Sequence, residues 1–284
     1  MASESETAAV VALLRHGRGT PTEYANRIED AGSAIPVARD ELGLLASDLL
    51  AAAADELATW VERGLHVLTI LDAAYPENLG AVHDRPPLIF VAGDLLARDA
   101  RAVAVIGSRD ATPAGLAAAR DLAAELVAHC FTVASGLARG IDTAAHTAAL
   151  EAGGRTVAVI GTGLDHSYPP ENAALQRRIA TRGAVVSQFW PDSPPTRPSF
   201  PLRNRVTSGL SLANVLVEAS PRSGALTQAR IALGHGRPVL LMDRLLGQRW
   251  ARELAGRPGV HVAASPAEVI ETVERLSSTR ALLD

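Results

Sequence analysis

The chain contains no lysine; all 27 of its basic residues are arginine. A Walker-type phosphate loop and a Schiff-base enzyme both need a lysine, so neither is open to it. Arginine still meets phosphate, through a bidentate fork rather than a point charge. The only cysteine is Cys130. No internal disulfide and no cysteine-based zinc site can therefore form. Aromatic residues make up 4%, which leaves few side chains on which a nucleobase could stack. Long hydrophobic runs are missing as well. The longest stretch free of Asp, Glu and Arg is residues 126–138, too short to span a bilayer. The opening MASESETAAVV carries acids and no basic segment, unlike a signal peptide, so a cytoplasmic protein is expected. The net charge of −4 argues against an all-over basic shell. A phosphate partner would have to be met by a local patch.

What is present falls into two textures. Residues 1–63 show apolar residues at three- and four-residue spacing in segments closed by glycine, which predicts a small all-α N-terminal domain. Its HGRGTP stretch either belongs to a helix-hairpin-helix-like DNA binder or only joins two helices. From residue 64 onward, short aliphatic runs alternate with helical segments: AVAVIG (102–107), FTVASG (131–136), TVAVIG (156–161), AVVSQF (184–189), NVLVEA (214–219) and PVLLM (238–242). Near-continuous aliphatic strands are buried on both faces, and their alternation with helices predicts an α/β fold, doubly wound, with a mostly parallel sheet. Residues 64–284 are expected to form this domain. It ends in a helix that starts at Ser265-Pro266, with Glu268 completing a capping box.

Ligands of such sheets sit at the carboxyl ends of the strands, near a topological switch point. After the first of these runs, Gly107 and Ser108 can bring backbone N–H groups to an anion, and Arg109 can add a charged fork. The stretch is not G-x-G-x-x-G, and GTGLDH (161–166) does not complete that fingerprint either, so a nicotinamide or flavin enzyme is poorly supported. After the second run, Gly136 and Gly140 bracket Arg139, and Asp142 is placed to cap the next helix. A Ser135–Asp142–His146 triad lacks the G-x-S-x-G elbow, and His146 reads as packed or solvated. Asp165 and His166 read as turn residues. From Ser193 to Val217 there is no acid but there are three arginines, Arg197, Arg203 and Arg205, with Phe200 beside them. Read as extended chain, Arg203 and Arg205 face one side with Asn204 between them, a clamp for two successive phosphates while Phe200 stacks a base. Ser223 and Gly224 open a further helix and also suit phosphate.

GSR (107–109), SGLARGID (135–142), GTGLD, YPPEN (168–172), FPLRNR (200–205) and SGALTQARIALGHGR occur in the order of the DNA processing protein A family (DprA, also called Smf), which the chain resembles over about residues 64–242. The resemblance implies an extended Rossmann-like core that binds single-stranded DNA, recruits the RecA recombinase in natural transformation and forms homodimers. It implies no catalysis, metal or cofactor. Carried over by motif, Gly107, Ser108 and Arg109 would meet phosphate. Phe200, Arg203, Asn204 and Arg205 would form the strand pocket, with Arg139 on its wall. The chain departs from the pattern at Ser187-Gln188-Phe189 and in LLMDRLLGQ, where a Val-Pro-Gly turn is usual. No winged-helix domain is expected. The alternative is a nucleotide-sensing or nucleotide-hydrolysing protein on the same core, for which Glu218 is the candidate ribose-binding carboxylate.

Overall fold

The computed structural model describes residues 2–280. Its N-terminal part packs four helices: α1 (Glu4–His16), α2 (Pro21–Ala31), α3 (Ala34–Leu42) and α4 (Ala46–Glu62). HGRGTP is a connector. Thr20 accepts from the Glu23 amide, Glu23 reaches back to the Thr20 amide, and Pro21 takes the first helical position. Gly32 then closes α2 in the left-handed region, at φ 63°. Helix α1 buries every residue from Thr7 to Leu13, so it is the centre of this bundle.

The chain continues through β1 (His66–Thr69), α5 (Glu77–Gly80), β2 (Leu88–Gly93), β3 (Ala102–Gly107), α6 (Pro113–Ala128), β4 (Thr132–Ser135), α7 (Ile141–Glu151) and β5 (Thr156–Val159). It goes on through α8 (Ala173–Arg182), β6 (Ala184–Ser187), α9 (Ser199–Leu210), β7 (Ala213–Glu218), α10 (Gly224–Gly234) and β8 (Val239–Met242). It ends with α11 (Arg249–Ala255), β9 (Val260–Ala263) and α12 (Pro266–Arg280). The nine strands form one sheet in the order β1-β2-β6-β5-β4-β3-β7-β8-β9. β1–β2 and β2–β6 pair antiparallel, and the other pairs are parallel. This is the expected mostly parallel, Rossmann-like α/β sheet.

Each aliphatic run earns its place by facing two cores at once. Along β3, Val103 and Val105 pack toward α6 and α7, while Ala104 and Ile106 pack toward α10. That is the period-2 alternation of a strand covered on both faces. β9 was not foreseen; its strand has half-exposed positions and an exposed Val262, so it lacks the continuous apolar signal. The predicted cap of α12 forms in modified shape. Ser265 Oγ accepts from the Glu268 amide at 3.3 Å, but Glu268 reaches back to the amide of Ala264 rather than that of Ser265, at 2.9 Å.

The sheet and the helical bundle share one apolar cluster. Trp60 of α4 is 5% exposed, sits edge-on to Phe90 of β2 at 5.0 Å and stacks on Trp190 at 5.7 Å. Trp60→Ala is therefore expected to cost about 3–5 kcal/mol in urea unfolding. A loss below about 1 kcal/mol would mean that the bundle adds little to the sheet.

His146 on α7 is fully buried, as one of the two sequence readings had it. One ring nitrogen lies 2.6 Å from Thr156 Oγ1. Burial, then the nearby Arg203 cation, push its pKa down from 6.5 to about 3. The unfolded chain takes up a proton near pH 6.5 that the folded chain refuses until about pH 3. Stability from this group is complete above pH 6.5 and is lost as pH falls, by up to about 1.4 kcal/mol per pH unit. His146→Phe is expected to flatten the stability–pH slope between pH 6 and 4 by close to one proton; an unchanged slope would show that His146 is charged in the fold.

Candidate nucleic-acid interface

From β3 the chain builds outward through β4, β5 and β6, then returns past β3 to lay down β7, β8 and β9 on the other side. The switch point therefore lies between β3 and β7, where the crossover loops diverge and leave a crevice. A cleft of about 440 Å³ opens there. Gly107, Ser108, Arg109, Phe200, Arg203, Asn204, Ser223 and Gly224 all line it. A second cleft of about 240 Å³ lies alongside, lined by Arg139, Tyr168 and Glu171, and shares Arg109, Phe200 and Arg203 with the first.

The floor is built by close approach. A methyl group on Gly107 would press on Ile141 and on the Glu218 carbonyl, so only glycine lets the loop after β3 hug α7 and β7. The Ser108 amide donates to the Glu218 carbonyl at 2.7 Å, and the Ser108 carbonyl accepts from the Ile141 amide at 3.2 Å. Gly140, at φ 77°, passes just under the Ser108 and Arg109 carbonyls.

Arg203 is the central charge. Its side chain runs over Gly136, where any Cβ would overlap the guanidinium, and Nη1 donates to the Val159 carbonyl at 3.2 Å. It is only 6% exposed, and its Nε has no hydrogen-bond partner. Below it, Asp142 accepts from the Gly136 and Ala138 amides at 3.2 and 3.3 Å. Asp142 was expected to cap α7; Gly140 takes the N-cap position and Asp142 instead gathers the loop after β4. Burial raises the Asp142 pKa, against the pull of Arg203 and the two amides. Burial also lowers the pKa of Arg203, and Asp142 offsets that, while a guanidinium remains charged throughout.

Segment 200–205 is helix, not extended chain, and this corrects the clamp. Phe200, Arg203 and Asn204 share one face of α9 at i, i+3 and i+4, whereas Arg205 lies about 200° around from Arg203. Arg205 points away from the cleft and pairs with Asp84 at 3.2 Å. Asn204 is 7% exposed and lines the cleft.

Above the floor, the Arg109 guanidinium sits 5.1 Å from the centre of the Phe200 ring, and Phe200 leans on Tyr168 at 5.5 Å. Tyr168 is 41% exposed, and its place beside Phe200 was not read from the sequence, where only YPPEN as a motif stood out. Asn172 ties that motif to the loop after β4 and to α7, donating to Leu137 O and to Thr143 Oγ1, both at 2.9 Å. On the third side, Ser223 caps α10 by accepting from the Ala225 amide at 3.1 Å, and the amide-rich end of this 11-residue helix faces the cleft.

Other candidates are committed elsewhere. Glu218 accepts from the Thr112 amide at 2.9 Å and from Thr112 Oγ1 at 2.5 Å, so it fixes the start of α6. Asp165 pairs with Arg63, and His166 bonds the Asp192 carbonyl at 2.8 Å, as turn residues do. A Ser208–His235–Asp84 line exists, with contacts of 3.1 and 2.7 Å. Ser208 is fully buried, so no substrate can reach its hydroxyl.

Residues 66–279 match the family of DNA recombination-mediator protein A. The chain is 38% identical over 219 residues to protein Smf of Escherichia coli, covering 76% of this chain and 59% of that one. It is 43% identical over 175 residues to the DNA processing protein DprA of Streptococcus pneumoniae, covering 60% of each. With the Smf protein of Synechocystis the match covers 61% of this chain and 44% of that one, at 42% identity. The chain thus spans about half the length of the curated relatives it matches. In three dimensions it resembles DprA of S. pneumoniae with TM-score 0.75 at 29% identity, over 95% of this chain and 97% of that one. DNA processing protein A of Helicobacter pylori follows with TM-score 0.65 at 27% identity, over 74% and 96%. With the matched region taking in both clefts, the chain belongs to the DNA recombination-mediator protein A family.

Proposed function

We propose that this chain binds single-stranded DNA along the two clefts at the switch point, performs no catalysis, and acts as a cytoplasmic homodimer that loads a RecA recombinase on the strand, in natural transformation and recombination. In this reading residues 1–63 are a separate helical domain and residues 64–284 carry the strand. The observation that carries it is Arg203: a guanidinium almost wholly buried, lining both clefts, with Nε left unpartnered. Its desolvation is met by the fold before any ligand arrives, which suits a fixed phosphate site. The Arg109–Phe200–Tyr168 ladder adds faces for bases, and the α10 N-terminus adds amides for phosphate. The H. pylori structure concerns that protein's single-stranded DNA binding mode, which supports the same ligand here. No described helix is long and apolar enough to cross a membrane. RecA delivery, transformation and the homodimer are carried over from what the family resemblance implies. The mononucleotide reading is weakened because Glu218, its ribose carboxylate, is already bonded to Thr112.

Fluorescence anisotropy of labelled oligo-dT at two salt concentrations, with AMP and duplex DNA as competitors, tests the proposal. Salt-sensitive binding displaced only by other single strands is expected. Saturation by AMP without strand binding would overturn it. Phe200→Ala should weaken binding by about 1–3 kcal/mol through lost stacking. Arg109→Ala should reduce the salt slope by about 0.7, one phosphate's worth; an unchanged slope would remove Arg109 from the backbone contacts.

A further inference from the structure

On the far side of α9 from Arg203, three side chains from two separate parts of the chain converge. His83 and Asp84 come from the loop between α5 and β2, and His235 caps the C-terminus of α10. One donor atom from each lies within 4.8 Å of the other two. We propose that His83, Asp84 and His235 bind a divalent cation of the zinc class.

The donor set carries the choice of ion. Two imidazoles and one carboxylate suit zinc and its borderline neighbours, whereas magnesium and calcium take oxygen donors. Two of the three ligands are already fixed. The His235 side chain is 1% exposed, with Nδ1 held 3.1 Å from Ser208 Oγ and Nε2 2.7 Å from Asp84 Oδ1. A partner on the second ring nitrogen is what orients a metal-binding histidine. Asp84 is anchored through its other oxygen, with Arg205 Nε 3.2 Å from Oδ2, which leaves Oδ1 turned toward the imidazoles.

His83 is the exposed member and leaves the site open to solvent. Its ring centre is 5.4 Å from that of His235. Metal bonds of about 2.0–2.2 Å need the donors within roughly 3.5 Å, so a rotation of the His83 side chain completes the set, with water in the fourth position. The carbonyl end of α10 lies at the same place, and a helix C-terminus favours a cation. Arg205 is an opposing charge, and it contacts Oδ2 of Asp84, the oxygen not bonded to His235. A bound ion would pin the loop before β2 to α10, next to the helix that carries Phe200 and Arg203. The ion-free alternative is the Asp84–Arg205–His235 contact network alone.

The test is a Co(II) titration of the untagged full chain after dialysis against a chelator, followed by Zn(II) competition. One Co(II) per chain with the visible bands of four-coordinate cobalt, displaced by Zn(II), is expected. His83→Ala and Asp84→Asn should each weaken uptake roughly tenfold or more. Oligo-dT binding should stay unchanged in both, which separates this site from the strand site. His83 is exposed, so its substitution leaves the fold intact, as a thermal melt would verify. No saturable uptake of either ion, or uptake that both substitutions leave unaltered, would overturn the proposal and leave the contact network as the whole role of the cluster.

Discussion

A guanidinium buried under the switch point is the constraint around which the rest of this molecule is arranged. Removing a charge from water is expensive unless it is paired and bonded. Arg203 has one carbonyl, Val159 O, and one nearby carboxylate, Asp142, and both are set by the backbone around them. The loop after β4 must carry glycine at 136, because any side chain there would occupy the guanidinium's own position. Asp142 must sit in the first turn of α7 to collect the Gly136 and Ala138 amides. SGLARGID is therefore best understood as the socket of an arginine that lies more than sixty residues further on.

Topology explains why that socket is where a ligand can reach it. A parallel sheet laid down in one direction closes its loops over one another; only where the order reverses do neighbouring strands send their connections to opposite sides. The cleft exists because β3 and β7 are neighbours with crossovers that part. The amide-rich start of α10 then faces it from one side and the loop after β3 from the other. Gly107 and Gly140 keep the loop after β3 close enough to β7 and α7 to share backbone bonds with both.

Much of this was legible in the sequence, and the failures are instructive. The aliphatic runs announced six strands because burial on both faces leaves no polar alternation to confuse them. The Gly- and Ser-bearing strand ends and the FPLRNR segment together named eight residues that line one cleft. SFPLRNRVTSGL did not read as a helix. It has Pro201 in its first turn and a Ser-Gly pair near its end, both of which signal turns. Proline is tolerated there because first-turn amides have no intrahelical acceptor to lose. That one misjudged element rotated Arg205 out of the cleft. Its actual partner, Asp84, lies in another loop, and no local period encodes a contact over that distance. The β9 edge was missed for the complementary reason: a half-exposed strand carries a weak signal.

The arrangement of the two clefts bears on what kind of ligand fits. They share Arg109, Phe200 and Arg203, and each has its own outer wall: Ser223 and Gly224 on one side, Arg139 and Tyr168 on the other. A single nucleotide in either cleft would leave the other wall idle, along with its cations. In the proposed reading a chain of linked nucleotides lies across the shared ridge, with phosphate meeting Arg203 and bases leaning on Phe200 and Tyr168. The exposed Tyr168 beside the half-buried Phe200 offers a flat ligand two adjacent ring faces. The shared ridge, more than any one residue, is what favours a polymer over a mononucleotide.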